Sequence, residues 1–260
     1  MKKYFVIGNP IKHSLSPELH NFWIKKNNIN ALYEKIKLEE KELGEFINKL
    51  RNEEIHGINV TVPFKNKVIK YLDKLSLEVE TTDSVNTIYK EGNDVIGHNT
   101  DVAGFELGLR HSKINVLHKA VLILGAGGVV PSIIYSLLSM GCKKIFLSNR
   151  TTERAVNIKK KFNDVEILKW GEMPDFDIII NATSVGLNND SLDLNFNVEN
   201  KIFYDIIYNP KETQFLKKAK ENGNKIENGK FMFIYQANQS FSIWNKVIPK
   251  IDDEVLKILE

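Results

Sequence analysis

AVLILGAGGVVP, residues 120–131, is a short apolar run cut off by glycines and followed by a proline. Ala120 to Leu124 read as a buried strand of the kind found in a parallel sheet. Gly125, Gly127 and Gly128 follow, with Ala126 and Val129 completing the turn. Pro131 stands where the first turn of a helix begins, because its missing N–H costs nothing there. Strand, glycine turn and helix start is the layout of a dinucleotide phosphate site. The glycines let the backbone come close, and the helix N-terminus offers free N–H groups to a pyrophosphate. The third small residue of such a turn is absent, since Val130 takes its place. A glycine turn alone does not separate a nucleotide site from a bare strand–helix connection.

The next strand bears on that choice. KKIFLS, residues 143–148, leads into Asn149, Arg150 and Thr151, about 20 residues beyond the glycines, where a dinucleotide site places its ribose reader. No acid stands at this strand end. Arg150 does, and Arg154 follows one helical turn later, which suits a ribose 2′-phosphate better than a 2′-hydroxyl. The plain alternative is two solvated arginines. A helix over 152–162 with a Thr-type cap follows, then strands at 177–182 (DIIINA) and 201–208 (KIFYDIIY), and a helix over 212–222. Strands alternating with helices predict a doubly wound parallel sheet, which binds ligands at the carboxyl ends of its strands. Topology therefore places Gly186 and Tyr208 near the cofactor mouth.

A chain of 260 residues with 42% hydrophobic and 27% charged residues is an ordinary globular protein of one or two domains. A net charge of +3 with dispersed lysines gives no reason to expect nucleic acid. One cysteine, Cys142, excludes an internal disulfide and a cysteine-rich metal site, and no metal is expected. No apolar run is long enough to span a bilayer and no cleavable signal is evident, so a cytoplasmic location without membrane contact is expected.

The first half begins with a strand over 3–8. Ser16 and Pro17 then mark a helix start, with Leu19, Phe22 and Trp23 on its inner face. Ser14 and Ser16 beside a helix N-terminus can hold a carboxylate; Ser16 as a simple cap and Ser14 as loop filler explain the same residues. A strand over 31–38 and a helix over 41–51 follow. GINVTV, residues 57–62, alternates polar Asn59 and Thr61 with apolar neighbours, so one face of that strand meets something polar, and Pro63, Phe64 and Lys65 start the next helix. Lys65 falls at the strand's carboxyl end; a lone lysine there is ordinarily solvated. Short strands are predicted at 84–89 and 94–97, then a helix from about 102 with Asp101 at its N-cap. An amphipathic stretch over 231–247 carries Gln236 among apolar neighbours and should pack back on the first half, before a last helix from Asp252.

Nine stretches taken in order resemble shikimate dehydrogenases: GNPIKHSLSPELHN, GINVTVPFK, SVNTIY, GHNTDVAG, GAGG, NRT, NATSVG, YDIIYNP and GKFMFIYQA. The resemblance implies two α/β domains: a substrate-binding and catalytic domain over 1–101, completed by 231–260, and a Rossmann-like NADP-binding domain over 102–230. It implies reversible NADPH-dependent reduction of 3-dehydroshikimate to shikimate, in aromatic amino-acid biosynthesis. No stretch of the sequence marks an interface, so a monomer or homodimer is expected. Ser14 and Ser16 match the substrate carboxylate contacts, in place of simple capping. Thr61, Asn86, Asp101 and Gln236 match the binders of the ring hydroxyls, with Tyr208 nearby. Lys65 matches the catalytic lysine, paired with Asp101. Residues 125–129 match the pyrophosphate loop, Asn149, Arg150, Thr151 and Arg154 the grip on the adenosine phosphate, and Ile206 and Gly229 the nicotinamide end. The chain departs from the family pattern at Val129 and Val130, where small residues are usual, and at Leu187, Ile206 and Phe233. An NAD-using quinate/shikimate dehydrogenase and a non-catalytic NADP-binding regulator are the alternatives; Arg150 speaks against the first, intact Lys65 and Asp101 against the second.

Overall fold

The alternating strands of the first half build a mixed sheet, while the near-continuous apolar runs of the second half build a parallel one. The structure is a computed structural model that describes residues 1–259. It divides into two units: Met1–Gly104 together with the chain from Ile234 onward, and Phe105–Phe233. Both divisions fall inside helices.

The first unit runs through β1 (Lys2–Gly8), α1 (Ser16–Lys26), β2 (Ala31–Lys37), α2 (Leu43–Arg51), β3 (Gly57–Val60), β4 (Lys74–Leu75), α3 (Leu77–Thr82), β5 (Thr87–Glu91), β6 (Asp94–His98) and the start of α4 (Thr100–His111). Its strands are ordered β2-β1-β3-β5-β6-β4. β1 lies parallel to β2 and β3, and β5 antiparallel to β3 and β6. Phe5, Ile7, Ile58, Val60 and Ile88 form a core with Leu43, Phe46, Ile47 and Leu50 of α2. The two-residue β4 and six-residue α3 had no periodic signature to betray them.

The helix expected at Pro63 does not form. The chain instead makes successive turns, with Phe64 N–H donating to Thr61 and Val68 N–H to Phe64. The Lys65 carbonyl accepts from Val85 N–H at 2.9 Å and is thereby withdrawn from helical use. The two helix caps read from the first half also differ. Leu15, not Ser16, occupies the N-cap of α1, with Ser14 Oγ accepting from Ser16 N–H at 3.3 Å. Asn99 caps α4, its Oδ1 accepting from Asp101 and Val102 N–H, so Asp101 sits inside the first turn with its carboxylate released for other partners.

The second unit continues α4 and adds β7 (Ala120–Leu124), α5 (Val130–Ser139), β8 (Lys144–Ser148), α6 (Thr152–Lys159), β9 (Val165–Leu168), β10 (Ile178–Asn181), β11 (Ile202–Asp205), α7 (Gln214–Glu221) and β12 (Lys225–Glu227). All six strands are parallel in the order β12-β11-β10-β7-β8-β9. That is the doubly wound order whose direction reverses between β7 and β10, the place where such sheets bind a dinucleotide. One face packs Val121, Ile123, Ile145 and Ile180 on Phe105, Ile133 and Leu137. The other packs Leu122, Ile179 and Phe203 on Phe215 and Leu216. The unanticipated β9 and β12 are short edge strands, four and three residues long, with half their residues or more outside the core. The Thr cap expected for α6 makes no side-chain hydrogen bond.

The chain closes with α8 (Lys230–Asn245) and α9 (Asp253–Ile258), the latter capped by Asp252, which accepts from Glu254 and Val255 N–H. In the first unit Trp244 stacks on Tyr4 at 4.9 Å and donates to the Ile88 carbonyl. Among the described residues no helix is long and apolar enough to cross a membrane.

The inner face of α1 is made by Leu19, His20, Trp23 and Ile24, whereas Phe22 is half-buried beneath the Lys26 ammonium. His20 is 1% exposed, stacks on Tyr33 at 4.2 Å, and its Nε2 has no hydrogen-bond partner. Burial pushes its pKa down from 6.5 to about 3. Folded His20 therefore stays neutral while the unfolded chain gains a proton below pH 6.5, so its contribution to stability is complete above 6.5 and lost as the pH falls toward 3. One proton difference is worth about 1.4 kcal/mol per pH unit. Urea unfolding at pH 6.5 and ~pH 5 should show the native chain losing about 2 kcal/mol more than His20→Phe does; equal losses would show that His20 titrates freely.

Candidate active site

A network of amides and hydroxyls gathers around the polar side of β3 and the start of α4. Asn59 Oδ1 accepts from Tyr33 Oη at 2.7 Å, and its Nδ2 reaches the Asn86 carbonyl, Thr87 Oγ1 and Ser240 Oγ at 3.0–3.1 Å. Asn86 Oδ1 accepts from Thr100 N–H at 2.7 Å, and its Nδ2 lies 3.0 Å from Asp101 Oδ1 and 3.3 Å from Gln236 Oε1. The other oxygen of Asp101 pairs with Lys65 Nζ. Both side chains are largely withdrawn from water, at 11% exposure for Lys65 and 8% for Asp101. Lys65, Asn86, Asp101 and Gln236, far apart in sequence, thus form one hydrogen-bonded cluster.

The remaining candidates of this unit lie on the loops after β1 and β3. Thr61 N–H donates to the Ile7 carbonyl, and Asn9 N–H to the Val62 carbonyl, so the two loops leave the sheet side by side. The Ser16 and Thr61 hydroxyls have no partner among the described residues. Ser14 and Ser16 make no hydrogen bond to Lys65 or Asp101. Tyr208 belongs to the second unit, where it stacks on Phe233 at 4.4 Å.

In the second unit the glycine turn sits at the reversal point of the sheet. Gly125 has φ +108°, and a Cβ there would come 2.7 Å from the Ala182 carbonyl oxygen at the end of β10. Only glycine satisfies both conditions. Gly125 N–H donates to the Ser148 carbonyl at 2.8 Å, which ties the turn to the end of β8. Gly127 and Gly128 are exposed ahead of α5. Val130, in place of the usual small residue, is fully buried among Ile133, Ile134 and Phe105. The Val129 N-cap of α5 makes no side-chain hydrogen bond, and an anion fits beside a helix N-terminus of this kind.

At the end of β8 the Asn149 amide donates to the Thr151 carbonyl at 2.8 Å, and Arg154 N–H donates to the same oxygen at 3.1 Å. This clasp leaves Arg150 and Arg154 exposed on one short turn, with no acidic partner among the described residues. A phosphate fits such a pair. Gly229 N–H donates to the Ile207 carbonyl at 3.1 Å, and a Cβ on Gly229 would overlap the Ile206 carbonyl, so these two positions touch directly.

A second polar cluster, at the ends of β10 and β11, lies outside the residues expected from the sequence. Asp205 is fully buried and accepts from Asn181 Nδ2, Thr213 Oγ1 and Ile207 N–H. Burial pushes its carboxyl up to about 6, while those hydrogen bonds pull the other way. The available signal was a polar residue closing each apolar run, in IIIN and IFYD. Tyr33, Thr87, Thr100 and Ser240 were missed as well, because nothing local distinguishes a buried hydroxyl from a solvated one.

Residues 6–88 match the shikimate dehydrogenase substrate binding domain, and residues 108–192 match the shikimate/quinate 5-dehydrogenase family. A shikimate dehydrogenase (NADP(+)) from Pelagibacter ubique is 55% identical over 264 residues, covering all of both chains. A crystal structure of shikimate dehydrogenase from Aquifex aeolicus superposes with a TM-score of 0.90 at 36% identity, covering 100% of this chain and 97% of that one. The Thermus thermophilus shikimate 5-dehydrogenase, solved with NADP(H) and shikimate, gives 0.89 at 28% identity over 100% and 97%. With two family matches on the two halves and a relative identical at more than half of its positions, the chain belongs to the shikimate dehydrogenase family.

Proposed function

We propose that the chain reduces 3-dehydroshikimate to shikimate with NADPH, reversibly. The observation that carries this reading is the Lys65–Asp101 pair, with the Asn86 amide donating to Asp101 and to Gln236, in the unit that matches the substrate binding domain. The glycine turn, the N-terminus of α5 without a side-chain cap and the two exposed arginines fit a dinucleotide carrying a 2′-phosphate. Its chemistry, once bound, is a hydride for the ketone carbon.

The chain's own residues supply the rest. Lys65 donates a proton to the oxygen that becomes the new hydroxyl, and it stabilises negative charge developing there. Asp101 fixes the ammonium in place. The Asn86 amide holds Asp101, and Asn86, Asp101, Thr61 and Gln236 present hydrogen-bonding groups to ring hydroxyls. Ser14 and Ser16, at the start of α1, take the carboxylate. The unshared Ser16 and Thr61 hydroxyls support this assignment, because each has a hydrogen bond to give to a ligand. Residues 125–129 form the turn that receives the pyrophosphate at the N-terminus of α5, with Gly125 N–H spent on the Ser148 carbonyl to hold the turn in place, and Arg150 and Arg154 receive the 2′-phosphate.

Two measurements test the reading. Lys65→Ala should lower kcat by about 10²–10⁴-fold, the weight of a positioned acid–base group; near-normal turnover would remove Lys65 from the proton transfer. Arg150→Ala should raise KM for NADPH by about 10–100-fold, the value of one charge-assisted contact, and leave NADH almost unchanged. Equal losses with both cofactors would contradict a 2′-phosphate contact.

A further inference from the structure

Asp205 closes β11, and Asn181, its direct register partner, closes β10. Both oxygens of the Asp205 carboxylate lie 3.2 Å from Asn181 Nδ2. One also accepts from Ile207 N–H at 3.0 Å and the other from Thr213 Oγ1 at 2.6 Å. No ammonium or guanidinium group faces it among the described residues. A buried carboxylate held by neutral donors alone costs desolvation that a neutral side chain would avoid. It gains the capacity to accept from several donors at once, and here those donors come from three separate segments.

Each donor leads to a loop. Asn181 Oδ1 accepts from Thr183 N–H at 3.1 Å and Thr183 Oγ1 at 2.7 Å, and its Nδ2 also reaches the Val185 carbonyl. Asn181 thereby shapes residues 183–185, the strand end beside the glycine turn. Ile207 N–H fixes the segment after β11, whose carbonyl at Ile207 accepts from Gly229 N–H. Thr213 caps α7 through its hydroxyl, while its methyl lies close beneath Gly186, where a Cβ would come to 3.0 Å. Residues 183–185, Ile206 and Gly229 thus hang from one carboxylate, while Gly186 packs on the Thr213 methyl and donates its N–H to Asp190.

We propose that Asp205, acting through Asn181 and Thr213, is a positioning residue that sets the loops receiving the nicotinamide half of the cofactor, and leaves the adenosine half to the glycine turn and the arginines. The proposal rests on the cofactor reading above. It divides one ligand between two supports, which an affinity comparison can separate.

The test compares NADPH with 2′,5′-ADP, which carries the adenosine and the 2′-phosphate without nicotinamide, by calorimetric titration of the full chain. Thr213→Val keeps the methyl under Gly186 and removes the donor to Asp205; Thr213→Ser keeps the donor. Thr213→Val and Asp205→Asn should weaken NADPH by about tenfold, the scale of a misplaced contact, with 2′,5′-ADP unchanged, and Thr213→Ser should retain native NADPH affinity. Unchanged NADPH affinity in Thr213→Val would overturn the proposal. So would a parallel loss of both ligands, which would mark the cluster as a fold support only. If Asp205→Asn does not fold, the Thr213 pair decides alone. Failure of the native chain to bind either ligand would instead refute the cofactor reading itself.

Discussion

Asp101 keeps only 8% of its side chain in contact with water, and a carboxylate so placed depends on the protein for its partners. One oxygen has the Lys65 ammonium and the other the Asn86 amide. Asn86 can serve only because its own carbonyl oxygen is occupied by Thr100 and its backbone by Asn59. Asn59 in turn is held by Tyr33, Thr87 and Ser240, from β2, β5 and α8. Removing one partner from such a chain leaves another buried group unsatisfied, which costs more than the single hydrogen bond. The ammonium is therefore placed by the sheet as a whole rather than by its own loop.

The second unit meets the same constraint without a cation. Its parallel strands end together at the reversal of the sheet, and their loops carry no regular hydrogen bonding of their own. Asn181 and Asp205 replace the ladder where it stops, just as the Asn149 amide does at the end of β8. The glycine turn before α5 is fixed in the same way, its Gly125 N–H donating to the Ser148 carbonyl at the end of β8. Both units use the same device, in which short polar side chains at strand ends convert an apolar scaffold into fixed loops.

Much of this was readable from the residues. The stretch 120–131 gave a strand, a turn and a helix start because apolar runs, glycines and proline each act locally. The placement of Arg150 and Arg154 just after β8 was legible because their spacing from the glycines is a consequence of one βαβ unit. Long-range pairing was not. The helix at Pro63 was expected from a local signal, and it fails because Val85, twenty residues away, takes the Lys65 carbonyl. Asp101 read as a cap because its position alone suited one, yet Asn99 does that work. Asp205 lay inside the apolar run KIFYDIIY, where a single acid could equally mark an edge facing water. Its partners Asn181 and Thr213 are identified only once β10, β11 and α7 are packed.

The most direct measurement is oxidation of shikimate by the native chain, followed by the absorbance of the reduced cofactor, with NADP+ and with NAD+. Steady turnover with NADP+ is expected, at a kcat/KM at least about tenfold higher than with NAD+, as a charge-assisted contact to the 2′-phosphate requires. Tight binding of NADP+ without turnover, or faster turnover with NAD+, would contradict the proposed function.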